Sequence, residues 1–152
     1  MHRGASMHDI CFRGLERIIR DYNIKTVLEY GSGISTEWFA ERVEKVYTVD
    51  HNPVWFPEKL KNVTCIRMNR KAIGADVRHI KKDFDLVLLD CLKTVRPVVF
   101  DFVKNLSWKV FCIHDWGRDK KRYNRELYNH LRQASFGPLK VYYNEIEEKI
   151  KI

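Results

Sequence analysis

Residues 26–36, Thr-Val-Leu-Glu-Tyr-Gly-Ser-Gly-Ile-Ser-Thr, constrain the fold of this chain more than any other stretch. An apolar run ends in glycines at 31 and 33 and gives way near Ser35 to a helical pattern, so the segment reads as a buried strand, a tight turn and a helix. Glycine at both positions permits a sharp turn and leaves main-chain atoms open to a ligand. A helix start behind the turn adds unpaired N–H groups and the positive end of a dipole. A lone Gly-x-Gly also serves plain βα turns, so the chemistry has to come from residues further along the chain.

The rest of the chain repeats the strand-to-helix alternation. Apolar positions at 7, 11, 15, 18 and 22 predict an amphipathic helix over Met7 to Tyr22 with Ser6 as N-cap. Strands are expected at Thr26 to Tyr30, Lys45 to Val49, Val63 to Met68, Phe84 to Leu89 and Lys109 to Ile113. Helices are expected over Ser35 to Val43, Val54 to Leu60, Arg96 to Leu106 and Asp119 to Arg132, the last with Tyr123, Leu127 and Leu131 in one row. Between Asn69 and Lys82 the pattern supports either a short basic helix or an irregular crossover. The tail from Leu139 to Ile152 predicts one or two strands, as in a hairpin. Alternation of this kind implies right-handed βαβ units and an α/β fold: one doubly wound, mostly parallel sheet with helices on both faces.

With 152 residues the chain is expected to form a single domain over 1–152, its first 24 residues packing as a helix on the core. No apolar run is long enough to span a membrane, and no signal-peptide pattern follows Met1, so a cytoplasmic location is the default expectation. Cys11, Cys65, Cys91 and Cys112 lack Cys-x-x-Cys spacing and read as reduced, mostly buried thiols.

Ligands of such sheets bind beyond the carboxyl ends of the strands, beside the first strand. The polar residues at those ends are Glu29 to Gly33, Asp50-His51, Met68-Asn69, Asp90-Cys91 and His114-Asp115. Asp50 follows Gly33 by 17 residues, the spacing at which a strand-end acid meets a ribose held over the first turn. A dinucleotide-binding turn would carry a third glycine where Thr36 stands, and Gly-Lys-Ser/Thr of the nucleoside triphosphate type is absent.

Glu29-Tyr-Gly-Ser-Gly-Ile-Ser35 instead resembles the first motif of the class I, Rossmann-like, S-adenosylmethionine-dependent methyltransferases, Asp/Glu-x-Gly-x-Gly-x-Gly, with serine last. Val49-Asp50-His51-Asn52-Pro53 is similar to the family's acidic second motif, Phe84 to Asp90 to its fourth, and Cys112-Ile-His-Asp-Trp116 to its fifth-strand end. The resemblance implies S-adenosylmethionine as cofactor. It implies that Tyr30, Gly31, Ser32, Gly33, Ser35 and Thr36 form the loop under the methionine part and that Glu29 helps hold the amino end. Asp50 would bind the ribose, His51, Met68 and Asn69 would flank the adenine, and Asp90 would lie close to the sulfonium.

Methyl transfer is an in-line displacement, so the enzyme positions donor and acceptor and removes the acceptor's proton. Asp90, His114 and Asp115 are the candidates for that role, His114 being the one whose ordinary pKa lies near neutrality. The metal-dependent O-methyltransferases also carry acids at the ends of the fourth and fifth strands. Trp116 stands where that pattern has asparagine, and histidine is an unusual magnesium ligand, so a divalent metal is not favoured and no metal ligand is assigned. Asp90-Cys91-Leu92-Lys93 lacks the prolines of the DNA-methylating enzymes, and Cys91 reads as packing or loop structure.

A net charge of +8 favours acidic partners, though a solvated basic surface has the same composition. Residues 118–132 hold six Lys/Arg against two acids, with Tyr123 and Tyr128 among them, and Arg67, Arg70, Lys71, Arg78, Lys81 and Lys82 make a second basic stretch. The expected activity is O-methylation of a small molecule or saccharide. The alternatives are an RNA methyltransferase and a non-catalytic nucleoside-binding scaffold. The chain shows no acceptor-binding insertion, so acceptor contacts fall to the N-terminal helix, to the loops after Asp90 and Asp115, or to a second copy in a homo-oligomer.

Overall fold

Apolar runs without polar alternation need cover on both faces. The computed structural model, which describes residues 9–69 and 83–145, provides it. Strands β1 (Thr26–Tyr30), β2 (Lys45–Asp50), β3 (Val63–Arg67), β4 (Leu86–Leu89) and β5 (Val110–Ile113) run parallel. The strands β6 (Arg132–Phe136) and β7 (Leu139–Tyr143) form a hairpin, and β7 lies antiparallel on β5. The sheet order is β3-β2-β1-β4-β5-β7-β6. Its sequence order reverses between β1 and β4, the kind of switch point beside which such sheets bind ligands.

Helices α1 (Asp9–Asp21) and α2 (Ile34–Ala40) cover one face. Cys11, Leu15, Ile18 and Phe39 pack there on Val27, Leu86, Val110 and Val141. Gly14 of α1 lies so close to Phe136 that an added Cβ would sit 2.4 Å from its ring, which fixes α1 over the hairpin. Helix α3 (Arg96–Phe102) covers the other face with the segment that begins at α4 (Trp116–Asp119). At the centre of that face is Phe100, fully buried among aromatic rings. No helix among the described residues is long and apolar enough to cross a membrane.

Three expected elements take a different form. Asp119 to Arg132 is not one helix: after α4 come 3-10 turns at Lys120–Arg122 and Arg125–Tyr128, and Arg132 already belongs to β6. Tyr123 and Tyr128 both insert against Phe100, at ring separations of 4.7 and 4.9 Å. Residues five apart on an α-helix point about 140° away from each other, so the chain leaves the helical path to bury both. The hairpin partner of Leu139 to Tyr143 precedes it, across the positive-φ Gly137, rather than following it. Val54 to Leu60 contains only a 3-10 turn at Pro53–Trp55, because Pro57 holds Phe56 extended.

Helix α2 starts at Ile34 and ends by Ala40, short of the expected Val43, which is nonetheless buried. The chain from Arg96 continues past α3 as a 3-10 turn at Val103–Asn105. All four cysteines are free; Cys11 and Cys112 are buried, Cys91 half-buried and Cys65 exposed. The Ser6 cap, the basic residues at 70, 71, 78, 81 and 82, and the tail past 145 lie outside the described residues.

Candidate active site at the β1–β4 switch point

The turn after β1 is set by contact with β4. Gly31 has φ +105, and a Cβ there would stand 2.1 Å from the Asp90 carbonyl oxygen. Its N–H donates to Val49 O at 2.7 Å, while Asp90 N–H donates to Tyr30 O at 2.8 Å. Gly31 therefore joins the ends of β2, β1 and β4. Gly33 differs: a Cβ built on it meets nothing within 4 Å. The space over the second glycine is open.

Beneath this loop lies Glu29, fully buried on β1. Its carboxylate accepts from the hydroxyls of Ser35, Thr36 and Thr48, the last at 2.8 Å from the paired position on β2. Thr36 Oγ1 also accepts from Gly33 N–H at 3.0 Å, so Glu29 braces the loop through the first turn of α2. Burial raises the Glu29 pKa to about 7, with the three hydroxyl bonds opposing it.

The folded protein thus holds a proton that the unfolded chain releases near 4.5, and this contribution to stability is present below pH 4.5 and lost as pH rises to about 7. Glu29→Gln should abolish the dependence. Urea denaturation across this window is expected to show the stability difference between wild type and variant changing by on the order of 3 kcal/mol. A difference that stays constant with pH would contradict the raised pKa.

Asp50 ends β2 and is buried. Its Oδ2 accepts from Ser32 N–H and its Oδ1 from Asn52 N–H, both at 2.9 Å. His51 Nδ1 lies 3.3 Å from Oδ1. Ser32 also bonds Thr48 through its hydroxyl at 2.6 Å. Met68 is buried beyond β3 and donates its N–H to Asp50 O at 2.8 Å, with Asn69 next along the chain. The ends of β1, β2 and β3 thus bring Tyr30 to Gly33, Asp50, His51 and Met68 together at one edge of the sheet.

The ends of β4 and β5 make a second cluster. His114 is buried, with Nδ1 3.0 Å from Asp90 Oδ1 and 3.5 Å from Asp115 Oδ2. Burial works to lower its pKa, but the hydrogen bond of Asp90, then that of Cys11, and the charges of Asp90 and Asp115 raise it to about 10. The ring is therefore an imidazolium at neutral pH. Asp115 holds a left-handed backbone (φ 57), uncommon for a residue with a side chain and of the kind retained at functional sites. Its carboxyl is the more open of the two, 29% exposed against 14% for Asp90. Burial pushes the Cys91 thiol up to about 12, which leaves it un-ionised and a poor nucleophile.

The residue that sequence reading missed is Arg96. Its guanidinium, 4% exposed, donates to Asp90 Oδ1 at 2.8 Å, Cys91 O at 2.8 Å and His114 O at 2.7 Å, and lies 3.5 Å from Asp119. In the sequence it looks like the opening of a helix before Pro97; only its position six residues after a strand-end acid hints at more.

Asp90, His114 and Asp115 have ligand atoms within 4.8 Å of one another, the spacing of a metal site. The charges present do not suit one. Asp90 Oδ1 already faces Arg96 and His114, and Asp115 Oδ2 faces His114 and Arg118 at 3.5 Å each. Arg118 also pairs with buried Asp119 at 2.9 Å. Asp90, Asp115 and Asp119 are thus balanced by Arg96, Arg118 and the imidazolium, and a metal would require His114 to be neutral.

No protein-family profile and no curated protein matches the sequence. Solved structures do match. A protein from Staphylococcus aureus assigned as a caffeoyl-CoA O-methyltransferase superposes with a TM-score of 0.70 at 17% identity, covering 90% of this chain and 84% of its own. An O-methyltransferase from Bacillus cereus, solved with S-adenosylhomocysteine, gives 0.69 at 15% identity over 92% and 83% of the two chains. The O-methyltransferase TomG from Streptomyces achromogenes, involved in tomaymycin synthesis and solved with S-adenosylmethionine, gives 0.62 at 14% over 93% and 82%. The chain has the fold of these proteins. The α/β sheet and helices on both faces expected from the sequence agree with it.

Proposed function

We propose that this chain is an S-adenosylmethionine-dependent methyltransferase acting on an oxygen of a small molecule or saccharide. The observation that carries the reading is the tie between Asp50 and Ser32, which fixes a strand-end acid against the glycine loop at the switch point. Each Asp50 oxygen takes one backbone N–H and keeps acceptor capacity for a ribose hydroxyl. The open space over Gly33 suits a ligand crossing the loop. The shared fold supports the same assignment.

In this reading Tyr30 to Gly33 run under the methionine part, with Glu29, Ser35 and Thr36 bracing the loop from below. His51, Met68 and Asn69 border the adenine, and Asp90 stands nearest the sulfonium. When bound, S-adenosylmethionine supplies an electrophilic methyl group. The chain aligns the acceptor oxygen with that methyl and removes the hydroxyl proton. His114 already carries a proton at neutral pH, so it orients Asp90 and Asp115, and the more open Asp115 takes the acceptor's proton.

Beside Trp116 a cleft of about 560 Å³ is lined by Lys120, Tyr123, Arg125, Lys140 and Tyr142, with Glu126 as its one acid. Lys140 lies over the rings of Trp116 and Tyr142. Three cations against one acid favour an acceptor that carries a carboxylate or phosphate. The test is transfer of labelled methyl from S-adenosylmethionine into small-molecule, saccharide and RNA pools. Label is expected in an oxygen of a small acceptor and is expected to fall at least about tenfold with Asp115→Asn. Label confined to RNA would replace the acceptor assignment, and no transfer to any pool would favour a binding scaffold.

A further inference from the structure

We propose that Arg96 is the resident cation of this site: its buried guanidinium holds the Asp90 carboxylate that a divalent ion would need, and joins the ends of β4 and β5 without metal. Its role in turnover rests on the methyltransferase reading; its place in the charge balance does not.

Arg96 gathers oxygens from separate parts of the chain: Asp90 and Cys91 after β4, His114 after β5, and Asp119 at the end of α4. Carboxylate and carbonyl oxygens are the donors that magnesium selects. Here a planar fork with fixed N–H directions satisfies them instead. Because the fork is buried, a metal at Asp90 would have to share a carboxylate whose Oδ1 already accepts from the guanidinium at 2.8 Å, placing two cations side by side out of water, a costly arrangement. His114 Nδ1 shares Asp90 Oδ1 with Arg96, and His114 Nδ1 and Arg118 Nη1 each lie 3.5 Å from Asp115 Oδ2. Arg96 is a positioning residue: it sets where Asp90 points and how the chain bearing Asp115 leaves β5.

The test begins with the wild-type protein after chelator treatment, titrated with magnesium and manganese by calorimetry and thermal melting. No saturable binding and an unchanged melting temperature are expected, and any methyl transfer should survive the chelator. Arg96→Ala should melt about 10 °C lower. Millimolar methylguanidinium should recover part of the loss, whereas methylurea, neutral and of similar shape, should not. Arg96→Lys, which keeps the charge but loses the fork, should fold with an intermediate melting temperature and lower kcat with little change in KM for S-adenosylmethionine.

Saturable metal binding to the wild type that Asp115→Asn abolishes would overturn the proposal. So would equal rescue by methylurea. If Arg96→Ala does not fold, the wild-type titration decides by itself. Failure of the methyltransferase reading would appear separately, as no response to S-adenosylhomocysteine with the metal and rescue results intact.

Discussion

Gly31→Ala is expected to lower the melting temperature by more than about 10 °C or to prevent folding, while Gly33→Ala, strained by a φ of +159 but free of any clash, is expected to fold with a smaller loss. The two glycines look alike in the sequence, and their surroundings separate them. A Cβ at 31 would meet the Asp90 carbonyl at 2.1 Å, and its obstacle is backbone rather than a side chain that could swing aside. Relief would require β1 and β4 to separate where Asp90 N–H bonds Tyr30 O. The φ of +105 adds its own cost for any residue with a Cβ. At Gly33 a Cβ enters open space and only the φ of +159 opposes it, so the stability loss is expected to be smaller and cofactor binding to suffer more. Thermal melts of both variants, followed by titration of the folded one with S-adenosylhomocysteine, check this. Equal stability of the two variants would mean that the β1–β4 contact is not tight.

Phe100→Ala should cost about 3–5 kcal/mol and loosen the segment that carries Trp116. Phe100 has no exposed surface and faces Tyr123, Tyr128, Phe111, Trp116 and Tyr142 with ring centroids 4.7 to 6.4 Å away. It also anchors the following turns, because the Tyr128 hydroxyl donates to its carbonyl at 2.6 Å. Tyr123 and Tyr128 leave an α-helical path to reach this ring, so its removal takes away what orders residues 116–128. Denaturant unfolding should report the stability loss, and hydrogen exchange should show faster opening at 116–128 than at β1 and β2. Uniform exchange across the molecule would contradict the local role.

The strands β4 and β5 are legible in the sequence because each is an uninterrupted apolar run closed by a polar residue at its carboxyl end, and β1 and β2 because β-branched, aliphatic and aromatic residues surround the single interior polar positions Glu29 and Thr48. Those closing residues are the ones that the sheet gathers, so Asp50, Asp90, His114 and Asp115 can be named without knowing their distances. The loop is legible for the same reason, although the unequal demands at Gly31 and Gly33 depend on Asp90, a residue distant in sequence. Thr48 gives no signal, since its hydroxyl matters only because it sits opposite Glu29 in the register. Arg96 is obscured by Pro97, which makes it look like a helix start, and its role requires the ends of β4 and β5 to be adjacent. The segment after Trp116 misleads because a ring cluster, not helical periodicity, decides its course.

The basic stretches are legible only as charge. In the fold, Lys120, Arg125 and Lys140 converge on one cleft, and Arg118 turns towards Asp115 and Asp119. Sequence counts group these cations together; the structure divides them between an open cleft and the charge balance of the site.

The most direct measurement is calorimetric titration of the wild-type protein and Asp50→Ala with S-adenosylhomocysteine. The wild type is expected to bind one equivalent saturably and Asp50→Ala at least about tenfold more weakly, a loss of about 1.4 kcal/mol or more. No binding by the folded wild type at millimolar ligand would contradict the assignment of this crevice to an S-adenosylmethionine-dependent enzyme.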